Sequence, residues 1–209
     1  MMKLEVAHHM CLKHIQSLPH LTRSYMVTGL LGFTSIEAFI DLQNLLFFGT
    51  LCSLEPRELS NKLLHLRLYQ FKHSVTATAY GFIPDINRVL TKYEIIAFRD
   101  DYLNSGLFPA KSLWKRISRQ RVLSLEEQCW SERLSICSDF TRFSEIYSIL
   151  IPSNLWRAAS QRPDCVNLMK FLAKLLCKLI LKQPVNCDIC DHPYTDELYS
   201  LTVKTTTVL

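Results

Sequence analysis

Apolar positions recur every three or four residues along most of the chain, which is the period of an amphipathic helix. Residues 4–18 read as a first helix, stopped before Pro19, whose nitrogen carries no hydrogen to donate. Residues 22–31 read as a second, ended near Gly32. Thr34 or Ser35 can cap a third, with Glu37 in its first turn and a stripe of Ile36, Phe39, Ile40, Gln43, Leu46 and Phe47. Pro56 suits the first position of a fourth. That helix would carry Leu59, Leu63, Leu66 and Phe71 on one face, with Lys62, Arg67 and Lys72 toward water. Residues 74–81 break the pattern, and Pro84-Asp85 opens a helix bearing Ile86, Val89, Leu90 and Tyr93. Asn104-Ser105-Gly106 marks a turn and Pro109 opens a basic segment. Ser124, with Glu127 three residues on, matches a capping box and predicts a fresh helix start. Ile151-Pro152-Ser153-Asn154 is the next punctuation. Residues 168–181 read as an amphipathic helix with Lys170, Lys174, Lys178 and Lys182 spaced by four, ended by Pro184.

These elements predict a mainly α fold: an irregular multi-helix array with a short disordered C-terminal tail. A helical domain is expected over 1–183, followed by a separate segment at 184–209. Composition agrees. Of 209 residues, 48% are apolar and 21% charged, enough apolar surface for a packed core, while only five are Gly. The longest uncharged runs, 24–36 and 42–54, fall short of the roughly 20 residues a membrane helix needs. The N-terminus lacks the apolar core and small-residue cleavage site of a signal peptide. The eight Cys are scattered, apart from Cys187 and Cys190, unlike a secreted disulfide framework. An intracellular protein, cytoplasmic or nuclear and not secreted, is expected, with no membrane partner.

The net charge of +5 permits contact with a polyanion. One segment concentrates it. If residues 109–121 are helical, Lys111, Lys115 and Arg119 share a face with Arg116 beside them and Trp114 among them. Such cations can bind phosphates, and the aromatic can stack on a base. The bland alternative is a solvated helix face with Trp114, Leu113 and Ile117 in the core. Cys187-Asp188-Ile189-Cys190 offers two thiolates at zinc-binding spacing, with His192 close behind. A closed site needs four ligands, so the pair is an incomplete site, expected to be unoccupied, and no cofactor is expected. A catalytic dithiol would sit in a βαβ context that is missing here. Asp100-Asp101 resembles a magnesium-binding pair but has no second acidic motif to complete it. No two His are four residues apart, and no HExxH, GxSxG or Gly-rich phosphate loop occurs. The expectation is a protein that is not an enzyme and has no small-molecule substrate.

Several phrases in order carry a resemblance. They are Leu4-Glu5-Val6-Ala7-His8, Leu12-Lys13-His14-Ile15-Gln16-Ser17-Leu18-Pro19, and Leu31-Gly32-Phe33-Thr34-Ser35-Ile36-Glu37-Ala38. Asp41 with Leu45-Leu46-Phe47-Phe48-Gly49, and Phe108-Pro109-Ala110-Lys111 with Trp114-Lys115, follow. This order resembles the region after the reverse transcriptase domain in non-LTR retrotransposon polyproteins of invertebrate animals, over roughly residues 4–201. The resemblance implies a helical stretch followed by a zinc-knuckle-like element. It places the family's catalytic aspartates and endonuclease outside this chain. Cys187 and Cys190 match the first two knuckle ligands, but Tyr199 stands where His is expected, and no Cys lies near Lys204. A truncated or decayed copy is implied: a non-catalytic helical fragment contributing contact with RNA or DNA. The alternative is an inert helical fragment or a protein-interaction module with no nucleic-acid role.

Overall fold

A computed structural model describes residues 2–20, 22–73, 80–135 and 147–180. Helices dominate: α1 (Met2–Gln16), α2 (Ser24–Leu31), α3 (Ile36–Cys52), α4 (Leu59–His73), α5 (Phe82–Lys92), α6 (Ala97–Ser105), α7 (Lys111–Ser135), α8 (Asn154–Gln161) and α9 (Val166–Ile180), with a 3₁₀ turn at Pro163–Cys165. No strand occurs among the described residues, which hold one isolated bridge between Ser148 and Ile151. The mainly α architecture expected from periodicity is therefore what forms. No single helix among them is long and apolar enough to cross a membrane.

The chain packs as two compact units. One comprises the described residues of Met1–Ile36 and Glu126–Leu209; the other is the continuous stretch Glu37–Leu125. The expected boundary at 183/184 lies outside the described residues.

In the continuous unit, α5 follows its sequence pattern closely. Ile86, Val89 and Leu90 are fully buried, and Tyr93 just beyond the helix joins them. Each such side chain contributes about 1.5–3 kcal/mol on leaving water. Helix α6 stops at Gly106, whose φ of 68° is the left-handed conformation that glycine adopts without strain.

Two stripes differ from expectation. On α3 the buried positions are Ala38, Asp41, Leu45, Phe48, Gly49 and Cys52, whereas Phe39 and Phe47 are exposed. This helix is apolar nearly all round, so periodicity alone cannot phase it. The small residues mark the true contact face, because they allow close approach. On α4, Asn61, Leu64 and Leu68 face the core, and Leu59, Leu63 and Leu66 are exposed. The buried Asn61 amide donates to the carbonyls of Leu51 and Leu54, fixing that phase at the end of α3.

No helix starts at Ser124: α7 runs unbroken for 25 residues. The expected cap is an interior residue, and the short Ser-x-x-Glu match carries no boundary on its own.

The discontinuous unit is held by Leu12 of α1, Met26, Val27 and Leu30 of α2, and Trp130 and Leu134 at the end of α7. Ala173 and Cys177 of α9, with Leu18 and Ile149 from outside the helices, complete that cluster. The Trp130 indole donates to the Tyr25 carbonyl at 2.9 Å. A smaller cluster joins α8 and α9 through Leu155, Ala159, Met169 and Leu176. Gln16 is fully buried and fully used: its amide donates to Val27 O (3.1 Å) and Leu12 O (3.3 Å), and its carbonyl accepts from the Trp156 indole (3.1 Å). Gly32 ends α2 with φ 68°, and a Cβ there would overlap the Ile151–Pro152 backbone. The start of α3 is capped from a distance. The Ser35 N–H donates to Glu126 Oε2 (2.9 Å) and the Ile36 N–H to Glu5 Oε2 (3.1 Å).

Candidate functional site

The basic segment occupies the first three turns of α7. Lys111, Lys115, Arg116 and Arg119 are all exposed, and Lys111 and Arg119 lie about 12 Å apart along the axis at 1.5 Å per residue. Among the described residues, none of the four makes an ion pair or side-chain hydrogen bond. Arg121 on the same helix does, to Glu94 at 3.8 Å. No acidic residue stands in the first turn of α7, so Lys111 meets the positive end of the helix dipole unopposed. The arrangement is a strip of exposed cations beside a helix start, suited to phosphate oxygens.

Trp114 does not belong to that strip, which corrects its expected place as a stacking residue. Its side chain is 1% exposed. The indole N–H donates to Leu45 O at 2.7 Å. Phe108, Phe98 and Phe48 surround the ring at centroid separations of 4.8, 5.6 and 6.2 Å. An indole so enclosed presents no face to a base. Its role is to anchor α7 in the core of the continuous unit, with Ser118 and Val122 on the same buried side. Leu113, expected to join it, is 39% exposed, while Ile117 packs against the cluster.

Asp100 and Asp101 sit on α6. Arg99 donates to Asp100 Oδ1 through Nη2 (2.7 Å) and Nε (3.2 Å), and Lys72 lies 3.5 Å from the same oxygen. The Arg99 hydrogen bond is the main influence holding that carboxyl below its usual range. Asp101 is exposed. A carboxylate already neutralised by two cations is a structural ion pair.

A buried charge that the sequence does not advertise is Asp41. Its side chain is 1% exposed, and Oδ2 accepts from Lys92 Nζ (2.8 Å) and the Tyr93 hydroxyl (3.0 Å). Lys92 also reaches Glu37 Oε1 at 2.9 Å. Burial opposes the Lys92 charge, but the hydrogen bonds to Asp41 and Glu37 outweigh it and raise the pKa. Burial, together with the Asp41 charge, pushes the Tyr93 hydroxyl up as well. The network ties α3 to the end of α5.

The sequence also carries a cluster that a search for paired histidines misses. Glu5, His8 and His9 on α1 bring one donor atom each to within 4.8 Å of one another. His9 Nε2 is 3.2 Å, and His8 Nδ1 4.0 Å, from Glu5 Oε1. Burial holds the His9 imidazole below its ordinary pKa, against the attraction of Glu5. The signal was present as Glu-x-x-His-His, with carboxylate-to-imidazole spacings of three and four.

Cys187 and Cys190, like His192, lie outside the described residues. The remaining described cysteines are unpaired. Cys52 and Cys177 are buried, and burial pushes the Cys177 thiol up to about 12, as expected of small core hydrophobes. No family model, curated protein or solved structure matches the chain.

Proposed function

We propose that this chain is a non-catalytic helical segment that contacts nucleic acid, derived from the region following the reverse transcriptase domain of a non-LTR retrotransposon polyprotein. The observation that carries the nucleic-acid part is the strip of Lys111, Lys115, Arg116 and Arg119, exposed and without an acidic partner among the described residues. Four cations this close release counterions together when they meet a phosphate backbone. With Trp114 buried, the contact has no aromatic platform, so it is one of charge and is indifferent to sequence. RNA and DNA are both partners by this chemistry.

The test is binding to a fluorescent single-stranded RNA over a range of salt. Affinity falls steeply with salt in the parent, and Lys115→Ala/Arg119→Ala flattens the slope by roughly two units, about one per lost contact. Equal binding by parent and double variant at low salt overturns the proposal.

A second reading, a protein-interaction module, is favoured by one feature. Leu59, Leu63, Leu66 and Tyr69 expose a continuous apolar face on α4, each more than half accessible. Absence of salt-dependent RNA binding would leave that reading standing.

A further inference from the structure

We propose that Glu5, His8 and His9 form a binding site for a divalent transition-metal ion, a site independent of the basic strip on α7. Residues three and four positions on from Glu5 stand on the next turn of α1, to either side of it. The carboxylate is thereby flanked by two imidazoles. Two donors held about 2.0–2.1 Å from one zinc ion at the tetrahedral angle lie about 3.3 Å apart. His9 Nε2 already stands 3.2 Å from Glu5 Oε1, and His8 Nδ1 needs to close only part of its 4.0 Å.

Two further observations bear on a ligand. His8 Nδ1 is buried and has no hydrogen-bond partner. A buried ring nitrogen without a partner costs free energy, and an ion at this point would satisfy it. Glu5 divides its work: Oε1 faces the two imidazoles, while Oε2 accepts the Ile36 N–H at 3.1 Å. A backbone donor on the far oxygen fixes the carboxylate's orientation, as outer partners of metal ligands do. The helix is itself anchored one and two turns further on by buried Leu12 and Gln16, so the three donors stand on a packed scaffold. Two imidazoles and one carboxylate suit zinc, cobalt, nickel or copper better than magnesium or calcium, which prefer oxygen. Three protein ligands leave coordination positions for water.

The experiment uses the full chain with Cys187→Ser/Cys190→Ser, which removes the competing thiolate pair. Titration with Zn²⁺ by calorimetry, and with Co²⁺ by visible absorption, is expected to show one equivalent bound. Glu5→Gln, His8→Gln and His9→Gln should each weaken binding at least about tenfold. Histidine ring NMR of the Cys-substituted chain, titrated with Zn²⁺, reads the site without touching it. The His8 and His9 resonances should move, and those of His65 and His73 should not. Substoichiometric binding overturns the proposal. So does binding that survives all three substitutions, or loss of all binding on removing the two cysteines.

Discussion

The indole of Trp114 lies against the backbone of Gly49 and donates its N–H to the carbonyl one turn earlier, at Leu45. Gly49 is thus a mid-helix glycine with a reason: a Cβ there would overlap the indole. Gly49→Ala, which raises helix propensity, is nevertheless expected to destabilise the protein by about 1–3 kcal/mol through overpacking. Chemical denaturation monitored by tryptophan fluorescence checks it. A neutral or stabilising result would mean the ring does not sit on α3.

The same pair shows where sequence reading reaches its limit. Helix α5 was legible because its four apolar positions are separated by charged and polar ones, so only one phase is possible. The Pro and Gly stops at Pro19, Gly32 and Gly106 were legible for backbone reasons local to each residue. The stripes on α3 and α4 were not, because both helices carry Leu or Phe on more than one side. The phase of α3 is set by Gly49 meeting Trp114, far along the chain, and that of α4 by a side-chain amide, Asn61, reaching back across the turn to Leu51 and Leu54. At the candidate site the cations could be read from charge alone. The fate of Trp114 could not, since an aromatic between cations looks the same whether it faces solvent or core.

Gln16 makes the second prediction. Replacing it with Leu keeps the volume but leaves the Trp156 N–H without the acceptor it now uses, and removes the tie from Gln16 to the Val27 carbonyl. Each unsatisfied buried group costs about 1–3 kcal/mol. Gln16→Leu should therefore lower the thermal midpoint, and a variant as stable as the parent would refute the network.

Alkaline titration tests the Asp41 network. The raised Lys92 pKa contributes stability that is complete below the ordinary lysine value of about 10.4, and is lost as pH rises through the folded value. The raised Tyr93 pKa acts in the same direction. Above about pH 10 the unfolded phenol ionises while the folded one stays protonated. Stability should hold to about pH 10 and then decline, and Lys92→Met/Tyr93→Phe should decline less. Asp41→Ala should cost less than the about 3–5 kcal/mol of a fully buried pair, because the Lys92 side chain is 30% exposed.

The phase of α4 can be tested by contrast. Leu63→Lys on the exposed side should change stability by no more than about 0.5 kcal/mol. Leu68→Ala, at 1% exposure, should cost about 2–5 kcal/mol. Equal losses at both positions would restore the stripe read from sequence.

Lys111 separates stability from binding. It stands at the helix end where a cation is unfavourable. Lys111→Glu is expected to raise stability by about 0.3–1 kcal/mol while weakening RNA binding. A variant that loses both, or neither, would argue against a functional reason for the lysine.

The order in which the chain leaves a ribosome acquires meaning from the way its units are threaded. The continuous unit is complete once Leu125 has emerged. Met26, Val27 and Leu30, made earlier, must wait for Trp130, Ala173 and Cys177 before their apolar surface is covered. At about 5–20 residues per second, the roughly 150 residues between Leu30 and Cys177 take about 7–30 s to appear. For that interval the nascent N-terminal helices present bare aliphatic surface, a substrate for holding chaperones. Glu37–Leu125 is therefore able to fold before the segment made just ahead of it.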